Sequence, residues 1–199
     1  MDVFFSAVIA YLLGSVSFSY LTARVLLNDD IRKHGSGNAG ATNTLRVLGV
    51  VPAVIVLLLD VFKGVAAVWI ADGLGGGEWV LPLSGLMAIV GHNWPIFFQF
   101  RGGKGVATTI GVFATLFFLP SLYAGIAAIL FIAATRYVSL GSLIFVAAAP
   151  VLTLFVGNHP LSYFYAGLVI AALSYWRHRA NIMRLLAGTE NQLGRGERS

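Results

Sequence analysis

The chain has 199 residues, of which 58% are hydrophobic and only 11% charged, and its mean hydropathy is +0.84. Soluble domains carry about 25% charged residues, so this composition excludes a soluble enzyme and indicates an integral membrane protein. A net charge of +5 could suit nucleic acid, but the positions of the basic residues decide what it means; the absence of cysteine excludes disulfides, thiolate metal sites and thiol nucleophiles.

From the N-terminus, Met1 to Phe5 carry an acid and no basic region, and the apolar run that follows is too long for a cleaved signal. The first helix is therefore expected to be retained. A crossing helix needs roughly 20 apolar residues, and the hydrophobic runs predict one all-α membrane domain, 1–199, with seven transmembrane helices over 3–25, 47–71, 79–100, 105–119, 121–135, 138–156 and 161–177. The stretch from Val106 to Thr135 is too long for one helix, and Pro120 and Ser121 supply the expected break.

Lys and Arg positions support that division. With two helices between Val106 and Thr135, the loops 32–46, 101–105 and 135–142 and the basic tail 177–199 all fall on one side. The opposite connections, near Asp72 to Glu78, Pro120 and Gly157 to Pro160, hold no Lys or Arg. By the positive-inside rule the N-terminus is then outside and the C-terminus cytoplasmic. The basic charge is thus a topology signal, and no nucleic-acid partner is expected. No repeat at a fixed spacing is visible, and an odd number of crossings does not divide into the inverted halves common in transporters.

The most informative stretch is HGSGNAGATNTLR, His34 to Arg46. Its glycines, Gly35, Gly37 and Gly40, let the backbone approach a ligand closely, and Ser36, Asn38, Thr42 and Asn43 add hydroxyls and amides. It reads as a phosphate cradle; the alternative is an ordinary flexible connection between helices. RGGKG, Arg101 to Gly105, opens a helix, so Lys104 and the amides of Gly102 and Gly103 can face an anion there, although the GxxxxGK spacing of a P-loop is absent. Ser139 and Ser142 follow Arg136, and His178 and Asn181 share one helical face; interfacial anchoring is the alternative for both segments.

Asp60 and Lys63, at i and i+3 in an apolar run, are expected to pair with each other and support the site. His92, beside Asn93 and Pro95, is expected to cap or kink its helix in a structural role. Five residues after the four histidines come Ala39, Phe97, Phe164 and Met183, so no HxxxxD acyltransferase motif exists. No acid cluster suits Mg²⁺, and neither metal nor cofactor is expected.

Together, GSGNAGATNTLR, LLDVFKG, GHNWPIFFQFRGGKGVAT, RYVSLGS and RHRANIMRLLAGTE resemble the PlsY family of bacterial acyl-phosphate:glycerol-3-phosphate acyltransferases along essentially the whole chain. Ala180 stands where the family commonly has Glu, and the tail is longer. The resemblance implies a seven-helix bundle that transfers a fatty acyl group from acyl phosphate to the 1-hydroxyl of glycerol 3-phosphate. The products are lysophosphatidic acid and phosphate, in the first acylation of phospholipid biosynthesis in the bacterial inner membrane.

The expectation is that Ser36, Gly37, Asn38, Gly40, Thr42, Asn43, Gly102 and Gly103 hold the acyl phosphate, and Arg46, Lys104, Ser142, His178 and Asn181 the glycerol 3-phosphate. Ser36, Lys104 and His178 are expected to carry the chemistry, with Asp60, Lys63 and His92 in support. The lipid bilayer and the upstream enzyme that forms acyl phosphate are the expected partners. A carrier for a phosphorylated metabolite is the competing reading.

Overall fold

The structure is a computed structural model that describes residues 2–194; the last part of the expected basic tail, 195–199, lies outside the described residues. These residues form ten α-helices and no strand, and the chain divides after Leu116 into two compact units.

The first unit contains six helices: α1 (Asp2–Gly14), α2 (Phe18–Leu27), α3 (Ala41–Leu48), α4 (Val50–Gly73), α5 (Val80–Asn93) and α6 (Val106–Leu116). The first apolar run is therefore broken: Ser15 Oγ turns back to the Tyr11 carbonyl at 2.8 Å and α2 starts afresh at Phe18. The second run also begins differently from the expectation. Val47 and Leu48 end the short helix α3, and Gly49 at φ +85° separates it from α4. Helix α5 stops at Asn93, before Pro95, and a single 3₁₀ turn, Ile96–Phe98, carries the chain towards RGGKG.

Glycines explain how these helices approach. A Cβ on Gly14 would strike the Ala88 carbonyl, and one on Gly91 the Tyr11 carbonyl, so α1 and α5 meet backbone to backbone at two points. Gly64 against Thr108 and Gly111 against Val61 do the same for α4 and α6. Lipid removes the hydrophobic drive between helices, and close packing of small residues replaces it.

The second unit contains α7 (Phe118–Thr135), α8 (Val138–Leu152), α9 (Leu161–Arg177) and α10 (Arg179–Leu186). The break expected at Pro120–Ser121 falls instead at Phe117, and Pro120 lies in the first turn of α7. There its missing N–H has no helical partner to lose. Gly141 lets α8 approach Ala128 and Ile132 of α7, and Gly167 seats α9 on Pro150 of α8.

Large apolar side chains cover the outside while several polar ones are enclosed. Phe4, Leu58, Phe62, Trp69, Ile129 and Leu130 are exposed, whereas Ser6, Asp60, Lys63, Ser84 and Thr108 are buried. Four segments are long and apolar enough to cross a membrane: Val3–Leu27, Val50–Gly73, Val80–Phe98 and Phe118–Thr135. Val106–Leu116 and Val138–Leu152 are shorter apolar helices.

Candidate active site

In the first unit, the glycine loop is folded around Asn43. This side chain is fully buried; its Oδ1 accepts from the Ser36 N–H at 2.8 Å and the Ser36 hydroxyl at 3.1 Å. Its Nδ2 donates to the carbonyls of Ile31 and His34 at 3.2 and 3.0 Å. All four of these bonds lie within the segment 31–43, so the Asn43 side chain shapes the cradle. Gly35 and Gly37 sit at φ +55° and +70°, which glycine adopts without a Cβ penalty. Ser36 and Gly37 are left exposed, and Asn38 and Gly40 stand directly before α3, whose first turn holds half-buried Thr42. Arg46 is exposed on α3.

Arg32, which the sequence did not single out, ties this loop to the next. Its guanidinium grips Asp30 (Nε to Oδ1 2.9 Å, Nη2 to Oδ2 2.6 Å) and donates to the carbonyls of Phe98 and Arg101 at 2.9 and 3.1 Å. It also lies 5.2 Å from the centre of the Tyr20 ring. The Arg32 hydrogen bonds, working against partial burial, hold the Asp30 carboxyl below the usual carboxylate range. Asp29 accepts from Lys33 and His34 at 2.9 and 3.0 Å, and its carboxyl is also lowered, chiefly by Lys33.

The segment Arg32 grips is strained. Gln99 and Phe100 both sit at φ +58°, a region that costs non-glycine residues roughly 1–2 kcal/mol each. It delivers the chain into RGGKG. The N–H groups of Gly102 and Gly103 donate to the carbonyls of Asn93 and His92 at 3.3 and 3.1 Å; they hold the turn to the end of α5. Gly105, at φ +79°, then reverses the chain into α6, leaving Lys104 half-buried on the turn.

Beneath that turn lies a buried ionic group. Lys63 pairs with Asp60 at 2.8 Å, as their spacing predicts. It also reaches the Val16 carbonyl and His92 Nδ1, each at 2.9 Å. His92 comes from another helix, so no local spacing could have shown that it joins the pair.

In the second unit, His178 ends α9 and is 2% exposed. Its Nδ1 lies 2.8 Å from the Ser174 carbonyl, which can only accept, so Nδ1 carries hydrogen and the neutral ring presents Nε2 as its acceptor. Ser142 donates to the Val138 carbonyl at 2.9 Å. Its oxygen is then an acceptor, suited to a substrate hydroxyl more than to a phosphate oxygen.

Asn181 is held by a residue to which the sequence reading gave no role. Glu190 is 8% exposed and accepts from Asn181 Nδ2 at 2.6 Å, Ser139 Oγ at 2.9 Å and Arg184 Nε at 2.7 Å. Burial pushes its carboxyl up, but the bonds from Asn181, Arg184 and Ser139 outweigh burial and hold it below the usual glutamate range. The tail continues back to α7: Leu193 N–H donates to the Arg136 carbonyl at 2.9 Å. An acid six residues beyond Arg184 in a basic tail was the signal available for Glu190.

Exposed apolar helices define an integral membrane protein, and the glycine loop and the lysine-bearing turn are its candidate site. The family model described as glycerol-3-phosphate acyltransferase matches residues 4–188, and the chain belongs to this family, known as PlsY; it is an integral-membrane acyltransferase. Relatives named glycerol-3-phosphate acyltransferase include one from Shouchella clausii strain KSM-K16, 59% identical over 190 residues, with 93% of each chain covered. Another, from Halalkalibacterium halodurans, is 58% identical over 191 residues, covering 94% of this chain and 93% of its own. The crystal structure of PlsY (YgiH), an integral membrane glycerol 3-phosphate acyltransferase, in its glycerol 3-phosphate form superposes with a TM-score of 0.91. It is 39% identical and covers 98% of this chain and 96% of its own. Its lysophosphatidic acid form matches with a TM-score of 0.88.

Proposed function

We propose that this chain transfers a fatty acyl group from acyl phosphate to the sn-1 hydroxyl of glycerol 3-phosphate, giving lysophosphatidic acid and inorganic phosphate. The observation that carries the reading is the likeness, along 98% of the chain, to a relative crystallised in forms with glycerol 3-phosphate and with lysophosphatidic acid. These are the acceptor and the product of such an acylation. The protein crosses the inner membrane seven times, with the N-terminus outside and the glycine loop, RGGKG and the tail on the cytoplasmic face, in keeping with the distribution of Lys and Arg.

Ser36, Gly37, Asn38, Gly40 and Thr42 hold the acyl phosphate, on a loop whose shape Asn43 maintains. Arg46, Lys104, Ser142, His178 and Asn181 are the residues we assign to glycerol 3-phosphate. Arginine and lysine supply the charge for its phosphate, whereas the Ser142 oxygen and His178 Nε2 suit its hydroxyls. Gly102 and Gly103 give the lysine turn its form.

The reaction needs little further machinery. An acyl phosphate is an activated anhydride, so alignment of the hydroxyl with the carbonyl carbon and neutralisation of two anions supply most of the rate. The hydroxyl oxygen bonds to the carbonyl carbon and the bond from that carbon to the phosphate oxygen breaks. The proton passes from the hydroxyl to a phosphate oxygen of the donor, which departs as inorganic phosphate. The upstream enzyme that forms acyl phosphate is the partner this donor requires.

The test is His178→Gln with palmitoyl phosphate as donor. A retained kcat with a raised KM for glycerol 3-phosphate is expected of a binding residue. A collapse of kcat at unchanged KM would make His178 the base, and transfer from palmitoyl-CoA in place of palmitoyl phosphate would overturn the donor.

A further inference from the structure

The geometry points to Asp60, Lys63 and His92 as a positioning relay that fixes the RGGKG turn against the glycine loop by selecting one tautomer of His92. An ammonium has three hydrogens. Lys63 donates to the Val16 carbonyl and to His92 Nδ1, each at 2.9 Å, and its Nζ forms an ion pair with Asp60 Oδ1 at 2.8 Å. Lys63 is 3% exposed, Asp60 1% and His92 7%, so these bonds form where water does not compete and the donor and acceptor roles are fixed by the partners present.

The consequence falls on the other side of the ring. Because Nδ1 accepts from Lys63, the neutral imidazole carries its hydrogen on Nε2. Nε2 is directed at the place where the two substrate loops meet: a Cβ added to Gly103 would run into both His92 Nε2 and the Ala39 carbonyl oxygen. The main chain of the same histidine takes the Gly103 N–H at 3.1 Å. Gly102 is held as closely, since a Cβ there would strike the His92 carbonyl and come within 2.6 Å of Pro95 Cδ. Backbone and ring of His92 therefore grip the turn that carries Lys104, while the ring edge abuts the loop that carries Ser36 and Asn38.

Asp60 completes the device. Alone in the interior, the Lys63 ammonium would be costly, and the Asp60 carboxylate offsets that cost in the same turn of α4. Asp60 Oδ1 is 3.6 Å from His92 Nδ1, too far for a hydrogen bond, whereas Lys63 Nζ lies within bonding distance of that nitrogen at 2.9 Å.

The relay has a spectroscopic signature that needs no turnover. In wild-type protein with ¹⁵N-labelled histidine in detergent at neutral pH, one of the four histidines is expected as the Nε2–H tautomer with a bare Nδ1. Its assignment follows from its disappearance in His92→Gln. An Nδ1–H tautomer or an imidazolium at that position would overturn the relay.

The functional arm, which rests on the proposed reaction, uses His92→Phe, a ring without nitrogens. Misplacement of a substrate-binding turn costs about 10- to 100-fold, here read as a raised KM for glycerol 3-phosphate in protein that elutes as folded, beside a lowered melting temperature from the Lys63 donor left without its acceptor. His92→Gln, which keeps an acceptor and a donor, is expected to recover part of the loss. His92→Phe with wild-type kcat and KM would overturn the positioning role. A wild type that transfers no acyl group would sink the reaction instead, leaving the spectrum to decide the tautomer.

Discussion

The Asn43 side chain receives both the N–H and the hydroxyl of Ser36 on one oxygen, at 2.8 and 3.1 Å. A buried amide in α3 thereby dictates where an exposed serine seven residues earlier points. Replacing Asn43 with Ala removes two acceptor bonds and two donor bonds from the loop and leaves buried partners unsatisfied. A loss of roughly 1–3 kcal/mol of stability is expected, together with a raised KM for acyl phosphate. Thermal unfolding in detergent and initial rates check the two parts separately; Asn43→Asp, which still accepts but cannot donate when ionised, falls between Ala and wild type.

Gly103→Ala tests the junction of the loops. Its Cβ would meet His92 Nε2 and the Ala39 carbonyl, and main chain cannot rotate out of the way as a side chain can. Activity is expected to fall by about 10- to 100-fold, the scale of a small misplacement of binding groups. Gly77→Ala, where a Cβ would meet nothing within 4 Å, is the matched control and should retain wild-type rates.

The α4–α6 crossing gives a prediction about stability. A side chain on Gly111 would enter the space of the Val61 carbonyl, and overpacking of this kind costs about 1–3 kcal/mol. Gly111→Val should lower the melting temperature and reduce yield of folded protein, while Gly125→Ala, in open space, should do neither. Size-exclusion profiles and thermal unfolding read both variants.

Glu190 makes the second unit sensitive to acid. Its folded carboxyl is held below its unfolded value by Asn181, Arg184 and Ser139 despite burial. A depressed folded pKa means that the stabilisation is present at neutral pH, above the unfolded value, and is lost as pH falls through the folded value. Release of the tail, read by limited proteolysis with an acid-tolerant protease, should therefore rise on acidification below the ordinary glutamate range. Glu190→Gln should show the same susceptibility at neutral pH; a tail equally protected in both proteins would contradict this role.

Much of the helical pattern was legible because apolar length and Lys and Arg placement are local signals: α4, α7 and α9 fall close to their expected positions. The misses have physical causes. Pro120 was read as a break, but a helix tolerates proline in its first turn, and the interruption passed to Phe117. Val47 and Leu48 read as membrane residues, yet Gly49 assigns them to α3.

The same division holds at the site. The glycine loop and RGGKG were visible as motifs, whereas the use of Asn43, Gly102 and Gly103 inside the fold was not. Whether a polar group faces a ligand or its own backbone depends on tertiary partners. Arg32, His92 and Glu190 take their roles from carbonyls and side chains distant in sequence or across a turn, which no spacing rule records.

The central claim is acyl transfer from acyl phosphate, and phosphate release measured together with lipid product tests it most directly. Purified wild-type protein in detergent, given palmitoyl phosphate and glycerol 3-phosphate, should form lysophosphatidic acid and inorganic phosphate in equal amounts, with Lys104→Ala largely inactive. Folded wild-type protein that yields neither product, or phosphate without lysophosphatidic acid, would contradict the account.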